Sequence, residues 1–154
     1  MTEIEIGRSK RAINGFAFDD IAIVPTRRTR DPRDVSTSWS IDAFQFEMPV
    51  IAAPADSAMS PATAIELGKL GGLGVLDLEG LWTRYEEPTQ QLAEIAAAKD
   101  EDTTAVLQRV YSKLVQAELI EARLGEIRAA GVTVAGALSP QRTAEFADVV
   151  LRSG

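Results

Sequence analysis

The side chains whose types and spacing could do chemistry are few: the Asp56-Ser57 pair, the Asp77/Glu79 pair with Trp82 close behind, and the adjacent carboxylates Asp19-Asp20. Histidine and cysteine are both absent from the 154 residues. The chain therefore has no imidazole base, no thiol nucleophile, no thiolate metal site and no disulfide framework. Chemistry would have to rest on carboxylates, hydroxyls, lysine, arginine or a bound cofactor. No residue is assigned as catalytic or as a metal ligand.

Each cluster admits a second reading. Asp19-Asp20 could ligate a metal or act as an acid/base couple, but neighbours on a strand point to opposite faces, so turn formation or pairing with nearby arginines competes. Asp56-Ser57 follow an apolar run ending at Pro54 and precede a helix start at Ser60. Ligands in parallel α/β folds gather at the carboxyl ends of strands, and simple turn chemistry would use the same residues. In Leu76-Asp77-Leu78-Glu79, strand alternation places the two carboxylates on one face and the two leucines on the other; a polar ligand mouth and a solvated loop both suit that pattern. Gly71-Gly72-Leu73-Gly74 invites a phosphate-loop reading. A dinucleotide fingerprint, however, follows a strand and opens a helix, whereas this cluster follows a helix and opens a strand, so it reads as a helix terminator.

The elements that must position these residues follow from periodicity and punctuation. Ile21-Ala22-Ile23-Val24, stopped by Pro25, reads as a strand, and Trp39 with Ile41 could share one face of another. Val50 to Ala53 is apolar throughout, as a strand buried on both faces would be. Ser60-Pro61 starts a helix that runs to about Leu70, with Gly71 at its end. Gly74 to Leu78 is the next strand, completing a βα unit. Thr83-Arg84-Tyr85-Glu86 has the capping-box pattern, ahead of helical stretches over about 88–98, 103–111 and from Glu118 to Ala130, closed by Gly131. Val132 to Leu138 is a third strand, and Ser139-Pro140 starts a last helix with Ala144, Phe146, Ala147, Val150 and Leu151 as its buried stripe. Three βα units behind a hairpin-like start predict an α/β fold with parallel strands. A closed (β/α)8 barrel needs eight strands and about 250 residues, so this chain is expected to hold only part of one: a single partial domain, with an N-terminal segment 1–48 and βα units over 49–154.

The bulk properties bound the partners. A 45% hydrophobic, 25% charged composition is that of an ordinary globular protein. No apolar run approaches the roughly 20 residues that span a bilayer, and Met1 to Glu5 lacks the pattern of a signal peptide, so no membrane partner and a cytoplasmic location are expected. A net charge of -7 argues against nucleic-acid binding. The charge is uneven: residues 8–33 carry seven basic side chains against three acidic, a net +4, while 77–126 carry eleven acidic against five basic, a net -6. A solvated exterior accounts for both blocks; alternatively the basic start meets the acidic helices of a neighbouring subunit.

Three segments, in order, resemble the IMP dehydrogenase/GMP reductase family. Phe18 to Pro25 is similar to that family's opening "TFDDVLLVP", "PVIAAPADS" over 49–57 is similar to its first barrel strand ending in "MDT", and "GGLGVL" over 71–76 is similar to its "GG(I/L)G(V/I)I". The uninterrupted passage from Leu78 to Val132, with no CBS module inserted, together with "GLWTRYE" and "IRAAGVTVAGALSPQRTAEFA", resembles a CBS-less branch described as IMP-dehydrogenase-related.

The resemblance implies a (β/α)8 barrel, generally tetrameric, that binds a purine nucleoside monophosphate at the strand ends. In the dehydrogenases a cysteine attacks C2 of IMP, hydride leaves to NAD, and water releases XMP; the reductases convert GMP to IMP with NADPH. The resemblance places Ala53, Ala55 and Asp56 toward the substrate and Asp77, Leu78 and Glu79 toward the cofactor. It also shows departures: Ala55 stands where the family has methionine, and Asp77-Leu78 where it has histidines. The cysteine loop, the monovalent-cation site around it, the phosphate loops and the flap have no counterpart. The expectation is therefore a fragment of a purine-nucleotide oxidoreductase, inactive by itself. The alternatives are a noncatalytic nucleotide-binding or subunit-interaction module and a fragment of a GMP reductase-like enzyme.

Overall fold

The computed structural model describes residues 3–5, 8, 11–13, 15–24 and 31–153. Lys10, Arg27, Arg28 and Arg30 of the basic block lie outside the described residues, as do Pro25 and Gly154. The chain divides into two compact units, Met1–Ser36 and Thr37–Gly154.

In the first unit, β1 (Glu3–Glu5) and β2 (Arg11–Ile13) form an antiparallel pair with Ile4 opposite Ala12. Phe18–Asp20 is a single 3-10 turn. The Asp20 carboxylate accepts the Ala17 N–H at 2.9 Å, so that residue does turn chemistry. The strand expected over Ile21–Val24 is not formed: all four residues are exposed, Ile23 at 98%, and none lies in a strand pair among the described residues. β-Branched residues favour strands through packing against neighbours, and these side chains stay exposed.

The second unit opens with a hairpin of β3 (Trp39–Ile41) and β4 (Phe44–Phe46). The Trp39 ring stacks on Phe46 with centroids 4.8 Å apart, and its indole N–H donates to the Met48 carbonyl at 2.8 Å. Three parallel strands then build one sheet in sequence order: β5 (Ile51–Ala52), β6 (Leu73–Asp77) and β7 (Ala135–Ala137). Ile51 lies opposite Leu73, and Val75 opposite Ala135. The helices are α1 (Pro61–Lys69), α2 (Thr89–Ala97), α3 (Thr103–Val110), α4 (Ala117–Ala129) and α5 (Pro140–Ser153). The architecture is α/β.

Helix α1 has the termini its sequence predicts. The Ser60 hydroxyl accepts the Thr63 N–H at 3.0 Å, and Pro61 takes the first helical position. At the other end Gly71 turns left-handed (φ 86), its N–H bonds the Gly68 carbonyl, and the Gly72 N–H reaches back to Leu67, both at 3.0 Å. This is the Schellman arrangement, which satisfies carbonyls the helix leaves open. Gly74 then lets α1 lie against β6: a β-carbon there would sit 2.7 Å from the Ala64 Cα. The core gathers where sheet and helices meet, around Met59, Ala64, Leu76, Leu78, Ile120, Leu124, Ile127 and Phe146.

Three local expectations are corrected. Thr83 does not cap a helix; it is fully buried, and its hydroxyl donates to the carbonyls of Leu78 and Gly80. The third strand is shorter than Val132 to Leu138, because Val132 packs on α1 at Gly68, where an added β-carbon would fall 2.6 Å from the Val132 Cβ. On α5, Leu151 is 78% exposed and Ala144 is exposed, while Phe146, Val149 and Val150 face the core.

Candidate functional site

The carboxyl ends of β5, β6 and β7 carry the segments 53–57, 78–82 and 138–139, and the Asp56, Asp77, Glu79 and Tyr111 side chains meet there. Asp56 ties them together. Its Oδ2 accepts the Leu81 N–H at 2.8 Å and the Tyr111 hydroxyl at 2.6 Å, whereas its Oδ1 is buried without a hydrogen-bond partner. Gly80 makes this possible, since a β-carbon there would lie 2.8 Å from both Cγ and Oδ2 of the carboxylate.

Asp77 is half-buried, and its Oδ1 accepts the Glu79 N–H at 2.8 Å. Burial is the main reason its pKa is raised, with the nearby Asp56 charge adding to it. Glu79 shares Asp77's face of the strand, as alternation predicts, but turns across to the next strand end. Its Oε1 accepts the Ser139 N–H at 2.5 Å, and that bond is the chief reason its pKa is lowered. Leu78, expected on the cofactor side, is fully buried in the core and has no surface to offer a ligand. Ala53 is exposed at the end of β5, and Ala55 is half-buried.

Ala55, Asp56, Ser57 and Asp77 line a cavity of about 790 Å³ whose opposite wall is apolar, built from Leu92 and Ile95 of α2, Leu107 of α3, and Tyr111. Among the substrate-side and cofactor-side residues expected from the sequence, the structure brings Ala55, Asp56 and Asp77 to one cavity and leaves Ala53, Leu78 and Glu79 out of its lining. Among the described residues no group of three or more carboxylates converges as a metal site, and no helix is long and apolar enough to cross a membrane.

Two residues that sequence reasoning left unassigned complete the site. Tyr111 lies 55 positions from Asp56, and nothing local to it signals the contact. Arg84 donates to the carbonyls of Glu79, Tyr111 and Lys113, and its guanidinium lies 5.6 Å from the centre of the Tyr111 ring. The "GLWTRYE" stretch was a usable signal, since Tyr85 and Arg84 both reach residues 110–113.

A parallel sheet with a cavity at its strand ends, apolar on one wall and carrying Asp56 and Asp77 on the other, places the chain among α/β proteins, whose ligand sites lie at that end of the sheet. Residues 15–144 match the family model for the IMP dehydrogenase / GMP reductase domain. A protein described as an uncharacterized oxidoreductase of Mycobacterium tuberculosis is 45% identical over 98% of this chain and 42% of its own length. An inosine-5'-monophosphate dehydrogenase of Thermoplasma acidophilum is 26% identical over 64% of this chain and 19% of its own length. The crystal structure of an IMP dehydrogenase/GMP reductase-like protein from Corynebacterium glutamicum superposes with a TM-score of 0.85 at 38% identity, covering 99% of this chain and 42% of that one. This chain belongs to the IMP dehydrogenase/GMP reductase domain family, and it spans about two fifths of the length of those relatives that match it nearly end to end.

Proposed function

We propose that the chain is the N-terminal part of a (β/α)8 barrel, about three βα units of it, in an IMP dehydrogenase-like oxidoreductase, and that its cavity contributes to binding a purine nucleoside monophosphate. The observation that carries this reading is the convergence of Ala55, Asp56 and Asp77 on one cavity at the carboxyl ends of adjacent parallel strands, where such folds bind ligands. Asp56 acts mainly through the chain itself, fixing the loops after β5 and β6; Ala55, Ser57 and Asp77 are the residues left to face a ligand. Ala55, where the family has methionine, lines the cavity with a small apolar side chain.

NAD is the oxidant that the family reading implies, taking up the hydride released from the base. The three residues aligned with its side do not form a site for it. Leu78 is in the core, Glu79 is bonded to Ser139, and Asp77 is the one member facing the cavity. NAD use would therefore rest on other residues of a longer protein. So would the chemical step, because these 154 residues offer neither thiol nor imidazole.

Continuing the reading frame past Gly154 and assaying the product for IMP-dependent NADH formation tests the proposal. Turnover is expected in the longer protein and not in the 154-residue chain. GMP-dependent NADPH oxidation in its place would move the reading to the reductase class. A longer protein that neither binds nor converts IMP or GMP would overturn it.

A further inference from the structure

Helices α2 and α3 wall the strand-end cavity, yet the hydrophobic core does not hold them there. Neither helix contributes a residue to the core cluster or to the half-buried side chains packed on it. Helix α2 buries no residue fully, and α3 buries only Val110. Neither N-terminus has a side-chain cap. The two helices pack on each other; Pro88 is buried at the start of α2 and Val110 at the end of α3, and the polar contacts that fix the pair collect just past the end of α3.

There, the Tyr111 hydroxyl donates to Asp56 Oδ2, the oxygen that also takes the Leu81 N–H. Arg84 holds the main chain of the same turn through the Tyr111 and Lys113 carbonyls, and the Tyr85 hydroxyl donates to the Val110 carbonyl at 2.9 Å. Burial first, and then the adjacent Asp56 carboxylate, raise the Tyr111 pKa above that of a free phenol, so the hydroxyl remains a donor wherever the protein is folded near neutral pH. A single carboxylate oxygen thus serves the loops after β5, β6 and α3.

We propose that the Tyr111–Asp56 contact is a latch that holds the α2–α3 pair against the strand ends, which makes Tyr111 and Asp56 positioning residues for the cavity wall. The latch goes beyond the nucleotide reading: it is a property of the chain with no ligand bound. Its rupture loosens the wall, which Arg84 and Tyr85 still tether at residues 110–113, and leaves the core cluster intact, since α2 and α3 contribute nothing to it.

The chain has two tyrosines, so a Tyr85→Phe background leaves Tyr111 as the only phenol in an ultraviolet titration at alkaline pH. In that background Tyr111 is expected to ionise above the ordinary phenol range, and Asp56→Asn is expected to lower its midpoint. Hydrogen exchange gives the second readout. Tyr111→Phe, which keeps the ring, should speed exchange of the α2 and α3 amides on the order of tenfold or more, the effect of losing one charge-assisted hydrogen bond, while the Ile120 and Leu124 amides of α4 keep their rates. An unchanged Tyr111 midpoint in Asp56→Asn would overturn the proposal. So would α2–α3 exchange that does not respond, or that speeds up equally with α4. Failure of the chain to bind IMP would count against the nucleotide reading and would leave both latch measurements standing.

Discussion

Gly80→Ala is the substitution whose cost the structure fixes most directly. Gly80 has φ -78 and ψ -169, extended backbone that alanine adopts freely, so the effect has no conformational component. The added methyl would lie closest to Oδ1 of Asp56, and 2.8 Å from its Cγ and Oδ2. Restoring a carbon–carbon separation of about 3.5–4.0 Å requires the carboxylate to retreat by roughly 0.7–1.2 Å. That movement takes its bonds to Leu81 N–H and Tyr111 OH, now 2.8 and 2.6 Å, past useful length. Hydrogen bonds to a charged group contribute about 1.5–3 kcal/mol each. Partial recovery by water at this half-buried site leaves an expected loss of about 2–4 kcal/mol, read as a lower urea midpoint. A double-mutant cycle isolates the cause: with Asp56→Ala already in place, Gly80→Ala should cost less than about 0.5 kcal/mol, because the clashing group is gone. A Gly80→Ala effect that is equally large in both backgrounds would refute the steric argument.

Three further outcomes are expected. Glu79 has a lowered pKa, so the unfolded chain binds its proton more readily than the native one; stability from this group is present above pH 4.5, the ordinary glutamate value, and is lost as pH falls through the lower native value. Glu79→Gln should flatten that acid-side loss in pH-dependent urea melts, and an unaltered slope would discard the Ser139 bond as its source. The three-stranded sheet ends on β5 and β7, with Val50 and Ile51 exposed at the β5 edge, so light scattering should find the 154-residue chain self-associated; a monodisperse monomer with protected amides in β5, β6 and β7 would show that the edges are not sticky. Incubated with IMP and NAD, the same chain should produce no NADH signal at 340 nm, and a signal surviving contaminant controls would require a nucleophile other than cysteine.

What was legible in the sequence was whatever local chemistry dictates. Ser60-Pro61 and Gly71 marked both ends of α1 to within a residue because a cap and a left-handed turn each need particular residue types. The alternation of Leu76, Asp77, Leu78 and Glu79 correctly separated core from polar face. The same pattern did not reveal that Glu79 would be drawn to Ser139 or that Leu78 would be sealed beneath Gly136, since both depend on β7 arriving alongside. Thr83 misled for a related reason: its spacing to Glu86 fits a cap, but burial gave its hydroxyl closer carbonyl partners. The Asp56–Tyr111 contact lies beyond any window of periodicity. Only the fold brings its two ends together, while the family resemblance pointed to one end.

The strand order β5-β6-β7 repeats the order of synthesis. Each strand finds its partner already made and pairs at the growing margin, so no later strand has to wedge between two that are already bonded. A nascent chain can therefore lay down this sheet from its amino end as it leaves the ribosome, with α1 able to cover β6 before β7 is translated. Sequential parallel assembly of this kind limits the loops that must close at each step to the intervening helices, which keeps the entropic cost of each addition modest. At each stage the last strand laid down is the exposed margin, and an unpaired edge of that kind is where a chaperone or a second nascent chain meets a folding protein.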